Sequence, residues 1–273
     1  MDYFMIRFFF LLIIFFKLIL SSKEVLVFAP LPMLNKTEVY DNFYPMIKLL
    51  EKRLDKKIIF FYSENYENIL EQFEKSQIDF AYLGPLPYLK LKEKYDHVEP
   101  LIYFKDKNNS VYYTCSLVKF LKSEKIQKIA LTQPLSTCGY LSVNSMLDNK
   151  LEEYKYKYLG KHDEVALEII RGNFDIGGLR TSIAKDYYHL GLEEIKRTDK
   201  LPGFVLAGNS KTLTKNELEK LQNILLDVPS KDYSTWGKDI KYGVEKAFDK
   251  DYDKLREMLK DINIPTQDNF DAK

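Results

Sequence analysis

Short apolar runs alternate with amphipathic stretches along most of this chain. Val25–Phe28 is four apolar residues ending at Ala29-Pro30 and predicts a strand. Phe43, Met46, Ile47, Leu50 and Leu54 follow at helical spacing, with charges on the opposite face. Ile58–Phe61 predicts a second strand, Tyr66, Ile69, Leu70 and Phe73 a second helix, and Ile78–Leu83 a third strand closed by Gly84-Pro85. Strands alternating with helices imply an α/β fold in which a parallel sheet is covered by helices on both faces. The rhythm returns with a strand at Ile129–Leu131, helices at Tyr140–Leu147 and Val165–Ile170, and a strand at Phe174–Ile176. Val111–Phe120 is a long β-prone stretch between the two halves, and Phe204–Ala207 is a late strand. Two helical patterns close the chain, Leu218/Leu221/Leu225 and Val244/Phe248/Leu255/Leu259.

The halves share a repeat. Tyr66–Pro85 aligns without a gap on His162–Thr181, so that Asp79 meets Asp175 and Leu83 meets Leu179. Tyr66 and His162 each precede that aspartate by 13 residues. Two amphipathic helix–strand units can resemble each other by chance. The repeat otherwise means two lobes of the same build, with Tyr66 and His162 at corresponding helix N-termini facing one cleft. In open α/β sheets ligands bind off the carboxyl ends of the strands, where those N-termini lie.

The first 22 residues have a different character. Arg7 precedes an apolar run from Phe8 to Leu20, broken once by Lys17 and followed by Ser21-Ser22. This is the layout of a cleavable secretory signal peptide, and it places the mature protein outside the cytoplasm. The run is short for a membrane span of about 20 residues. The full chain of 273 residues holds 41 Lys and Arg against 40 Asp and Glu, and loss of residues 1–22 leaves 39 of each. Such a balance argues against nucleic acid as a partner. Two cysteines, Cys115 and Cys138, exclude a disulfide scaffold, and in this compartment they are permitted a bond that the sequence does not predict. The three histidines are scattered and no HExxH occurs, so no metal or other cofactor is expected. The chain carries 20 Tyr and 18 Phe, and tyrosine suits binding surfaces as well as cores.

One loop carries chemistry. Pro134-Leu135-Ser136-Thr137-Cys138-Gly139-Tyr140 follows a predicted strand and opens a predicted helix. Ser and Thr there serve as helix caps. They serve equally as an anion cradle, in which two hydroxyls, free N–H groups and the positive end of the helix dipole converge. Gly139 would let the backbone come close. Neither GxxxxGK[ST] nor GxGxxG is present, so nucleotide binding has no support.

Four segments occur in order: IDFAYLGPLPYL (Ile78–Leu89), STCGYL (Ser136–Leu141), GKHDEVALEIIRGNFDIGGL (Gly160–Leu179) and LPGF (Leu201–Phe204). Together they resemble the periplasmic phosphate/phosphite/phosphonate-binding proteins of ABC transporters, over about Val25 to Ala207. The resemblance implies a type II two-lobed periplasmic binding protein, each lobe a mixed or parallel sheet flanked by helices, joined by two crossing strands. Lobe one would be 23–111 with 204–273, and lobe two 112–203. It implies a small oxyanion ligand, an ABC permease as partner, contact with the membrane only through that permease, a monomer, and no enzymatic activity. By the same resemblance Ser136, Thr137, Cys138 and Gly139 would hold the P–O oxygens, helped by Tyr66, His162 and a tyrosine opening the first crossing strand. That tyrosine matches Tyr112, with Tyr113 the alternative register.

The chain also departs from the family's pattern. The third loop position, usually a hydroxyl residue, is Cys138, and a thiol is a weak donor. Cys138→Ser is therefore expected to keep or tighten binding. Where aminophosphonate binders place carboxylates for the ligand's ammonium group, this chain has Phe204 and the stretch Ile-Gly-Gly-Leu-Arg-Thr-Ser. An aminoalkyl ligand is thus disfavoured, and Arg180 becomes a further candidate contact, or else a solvated helix-start residue. Three other classes remain open: a receptor feeding a signalling partner, a thiamin-related enzyme of the same build using Cys138 as nucleophile, and a ferric-ion carrier using tyrosines such as Tyr187-Tyr188.

Overall fold

The computed structural model describes residues 23–33, 35–121 and 126–270. The signal peptide expected at 1–22 lies outside them. β1 (Val25–Pro30) leads through α1 (Lys36–Leu54), β2 (Lys57–Phe60), α2 (Tyr66–Glu74), β3 (Phe80–Leu83) and α3 (Pro85–Lys94) to β4 (Val98–Phe104). β5 (Tyr112–Tyr113) then carries the chain into β6 (Cys115–Phe120), β7 (Lys128–Leu131), α4 (Tyr140–Met146), β8 (Lys155–Tyr158), α5 (His162–Ile170), β9 (Ile176–Arg180), α6 (Thr181–Asp186) and β10 (Leu192–Arg197). β11 (Leu201–Pro202) returns it to β12 (Val205–Asn209), α7 (Lys215–Leu226), α8 (Ser230–Tyr233), β13 (Val244–Lys246) and α9 (Asp253–Leu259).

Two mixed sheets result, in the orders β13-β4-β12-β3-β1-β2 and β10-β6-β9-β7-β8. Each has a parallel trio, β2-β1-β3 and β8-β7-β9, extended by antiparallel strands. The parallel trios are those read from the strand–helix rhythm, and the sheets are mixed because β12 and β6, which cross from the other half, pair antiparallel beside β3 and β9. The repeat is seen in full. α2 and α5 start at Tyr66 and His162 and run nine residues each, and β3 and β9 begin at the aligned Phe80 and Ile176. The equivalent aspartates do equivalent work. Asp79 accepts from the N–H of Val27, and Asp175 from the N–H groups of Gln127 and Lys128, each tying its strand to a neighbouring one.

Local chemistry explains the helix starts. Asn65 accepts from the N–H groups of Glu67 and Asn68 at the head of α2, satisfying donors with no partner inside the helix. Thr214 and Glu217 close a capping box on α7. α1 begins seven residues before the first apolar position read from the sequence, because Asn35 caps it at Glu38. Of the last predicted helix only Asp253–Leu259 is α-helical. Val244–Lys246 is instead a strand, since β4 offers it an open edge. The first core is rich in aromatic rings: Phe28 packs on Phe43 and Phe80, Phe43 on Tyr82, and Tyr82 on Phe204. This chain of rings leads from the middle of the sheet to the space between the sheets.

Three connections join the halves. β5 and β11 cross side by side, Tyr113 opposite Leu201 and Tyr112 opposite Pro202. Gly203 makes the close crossing possible, because a Cβ there would lie 2.1 Å from the Val111 carbonyl oxygen. The third connection is the C-terminal tail. Beyond α9, Ile262 and Ile264 pack against apolar residues of both sheets. Asp268 and Asn269 then accept from the N–H groups of Tyr158 and Tyr156 on the edge strand β8. Phe270 meets Phe174.

Candidate ligand-binding site

The second half supplies the floor of a cleft between the sheets. After β7 the chain turns through Gln133 to Gly139 before α4, and Ser136, Thr137 and Cys138 from this turn line the cavity. The turn lies directly on β9. A Cβ on Gly178 would stand 2.3 Å from the Cys138 carbonyl oxygen, so only glycine lets the two segments meet. Gly139 caps α4 from behind the turn, against Gln133, Thr132 and Ser136, and is not among the lining residues. Its N–H donates to the Ser136 carbonyl at 2.9 Å, so in this structure it holds the turn together.

Cys138 is joined to Cys115 at the start of β6 by a disulfide. Its sulfur is therefore no thiol. A nucleophile needs a free thiolate, so the enzyme reading through Cys138 is overturned, and Cys138→Ser would break a covalent tie rather than improve a donor.

Opposite this floor stand Tyr66 at the head of α2, Gly84 and Pro87 around the start of α3, and Leu31. Tyr113 and Phe204, from the two crossings, close one side. His162 and Arg180 also line the cavity, Arg180 lying against the rings of Phe204 and Tyr113. Tyr113, not Tyr112, is the tyrosine of the cleft: Tyr112 is 45% exposed and points away, because neighbours in a strand face opposite sides. Tyr187 and Tyr188 do not line the cavity, and Tyr188 bonds Glu194. Among the described residues no cluster of three or more metal-ligating side chains occurs.

The donors are neutral apart from Arg180. Burial, helped by the nearby Arg180 charge, pushes His162 down to about 3, so its ring is uncharged at neutral pH. The Arg180 backbone N–H donates to His162 Nδ1 at 3.2 Å, which leaves the ring proton on Nε2 as a donor. Burial pushes the Tyr113 phenol up to about 12, against the opposing pull of Thr137 and Arg180, and also raises Tyr66. Both phenols stay protonated. No carboxylate lines the cavity.

The two halves touch directly around the site. The Gln133 side chain accepts from the Tyr66 N–H at 2.8 Å and donates to the Glu64 carbonyl at 2.9 Å. Thr137 Oγ1 accepts from the Leu86 N–H at 3.0 Å, and Lys161 pairs with Glu64. The second half thus caps the N-termini of α2 and α3 in the first. The free volume between them is about 10 Å³, roughly room for one water.

The profile of the family described as "ABC transporter, phosphonate, periplasmic substrate-binding protein" matches residues 28–252. The chain belongs to this family. Like the rest of this phosphonate-binding family it is a substrate-binding protein and not an enzyme. It is 24% identical to the phosphate-import protein PhnD of Mycolicibacterium smegmatis over 276 residues, covering 86% of this chain and 85% of that protein. Its fold is similar to that of PhnD1 from Prochlorococcus marinus in complex with methylphosphonate, with a TM-score of 0.77 at 16% identity, covering 88% and 98% of the two chains. A binding component of an ABC phosphonate transporter from Pseudomonas aeruginosa gives 0.75 at 15% identity over 87% and 86%. Four contributors to the site escaped the sequence: Leu31, Gly84, Pro87 and Gln133. The Gly-Pro pair after β3 was legible as a strand end, but nothing local shows that the helix it opens points at the loop of another sheet.

Proposed function

We propose that this protein captures a small phosphorus oxyanion, namely phosphate, phosphite or a short alkylphosphonate, between its two lobes. It delivers the ligand to the permease of an ABC transporter from the periplasm, after removal of a signal peptide. In this reading 23–111 with 204 onward is one lobe and 112–203 the other, with β5 and β11 as the hinge. One observation carries it: Ser136, Thr137, Tyr66, Tyr113, His162 and Arg180 meet on one compact cavity that holds no carboxylate. Hydroxyls, phenols and a neutral Nε2–H each donate one directed bond, which suits an acceptor with several oxygens. The N-termini of α2, α3 and α5 add partial positive charge. Membership of the phosphonate-binding family and the phosphate and methylphosphonate named for two relatives support the same class.

The test is thermal unfolding and calorimetry with phosphate, phosphite, methylphosphonate and 2-aminoethylphosphonate, with sulfate as control. At a hundredfold excess over Kd a true ligand adds about 2.7 kcal/mol, a rise of about 5–11 °C for a chain of this size. If no phosphorus oxyanion raises the melting temperature or releases heat, the reading is wrong.

A further inference from the structure

Arg180 is the one full charge among the residues lining the cleft. It ends β9 and precedes α6, and its backbone is fixed by the bond to His162. Its side chain lies across two rings, 4.8 Å from the centroid of Phe204 and 5.5 Å from that of Tyr113. Guanidinium over an aromatic face is a favourable packing, but rings accept no directed hydrogen bond. Nε and Nη1 are buried and have no partner. The Arg180 charge is also felt by the buried Tyr82 phenol, as is that of Asp239, whose carboxylate is held by Asn42 at 3.2 Å. Asp239 forms no ion pair with Arg180 among the described residues.

Two buried guanidinium donors without a partner are costly unless an acceptor answers them. The two unused N–H groups point to different edges of the guanidinium, so each offers one directed, charge-assisted bond to an oxyanion oxygen. An ammonium group placed beside Arg180 would meet a like charge.

Resting on the reading of the cleft as a phosphorus-oxyanion site, we infer that Arg180 sets its specificity. It bonds the oxyanion directly, so that the site selects compact, wholly anionic ligands such as inorganic phosphate and rejects zwitterionic aminoalkylphosphonates.

The experiment measures phosphate, methylphosphonate and 2-aminoethylphosphonate affinities by calorimetry for the wild type and for Arg180→Gln, Arg180→Lys and Arg180→Glu. Melting curves run alongside to show that each variant is folded. The wild type is expected to prefer phosphate over 2-aminoethylphosphonate by at least about a hundredfold. Arg180→Gln should weaken phosphate about 10- to 100-fold, the range of one charge-assisted bond, and weaken the aminoalkyl ligand less, because loss of the bond to its phosphonate is offset by relief of the like-charge contact with its ammonium group. Arg180→Glu should reverse the order, and Arg180→Lys should recover part of the phosphate affinity through charge without the fork. Arg180→Lys also keeps the question open to measurement if Arg180→Gln fails to fold. If the wild type binds phosphate but Arg180→Gln binds it equally well, Arg180 is packing for Phe204 and the inference is overturned alone. If the wild type binds none of the three, the oxyanion reading falls and this inference falls with it.

Discussion

Removal of the Cys115–Cys138 disulfide should lower stability by an amount the chain itself sets. The bond spans 23 residues of sequence. Closing a loop of that size in the unfolded chain removes conformational freedom worth about 3 kcal/mol. At about 2–4 °C per kcal/mol for a chain of this size, Cys115→Ala/Cys138→Ala should melt about 6–12 °C below the wild type. Both cysteines are buried, so the paired change to Ala avoids leaving an unpartnered thiol or hydroxyl in the core. Because Cys138 belongs to the loop that carries Ser136 and Thr137, the variant should also lose oxyanion affinity. The assay is calorimetric unfolding of both proteins without reductant, with free thiols counted in denaturant. Wild-type protein should show none. Two reactive thiols in the denatured wild type, or a double variant melting within about 2 °C of it, would refute the reasoning.

Three further outcomes follow from buried charge and from the tail. His162 titrates near 6.5 when unfolded and is pushed down to about 3 when folded. Between those values only the unfolded chain takes the proton, so stability that is complete above about pH 6.5 falls by about 1.4 kcal/mol per unit as the pH drops toward 3. His162→Gln should flatten that limb of a stability–pH curve measured by urea unfolding, and an unchanged slope between pH 6 and 4 would count against it. Asp79 is fully buried and its carboxylate is held by Lys23 Nζ at 2.8 Å; if the proposed signal peptide is removed, the cut should therefore retain Lys23, and N-terminal sequencing of secreted protein that starts after it would contradict this. Deleting residues from Ile262 onward exposes the N–H groups of Tyr156 and Tyr158 on β8. It should lower the melting temperature by several degrees and increase aggregation, as read by light scattering during the melt.

The sequence carried the architecture where it repeats. Tyr66 and His162 were placed at matching helix heads by alignment alone, and both face the cleft. Ser136 and Thr137 were found because hydroxyls before a helix have few purposes. The sequence does not separate Tyr112 from Tyr113, because adjacent tyrosines in a strand give no alternation to phase, and a slip of one residue moves the side chain to the other face. The disulfide was invisible because bonding depends on Cα separation, here 5.2 Å, which spacing in the chain does not give. Gly178 reads as a weak strand residue until Cys138 is seen lying on it. Residues Val244–Lys246 kept a helical period yet joined a sheet, since an open strand edge outweighs a short amphipathic pattern.

The order of the strands has a consequence for how the chain matures. Every strand of the five-stranded sheet lies between Cys115 and Arg197, and so do both halves of the disulfide. The six-stranded sheet, by contrast, seats β12 between β3 and β4, and β12 begins only at Val205. A chain delivered N-terminus first can complete and oxidise its middle portion while β3 and β4 still show unpaired edges. The portion that comes first in the sequence therefore finishes last. Contacts that span such separations are slow to form, and open edges meanwhile invite pairing with other chains. The vulnerable interval in the life of this protein is the wait between Phe104 and Val205.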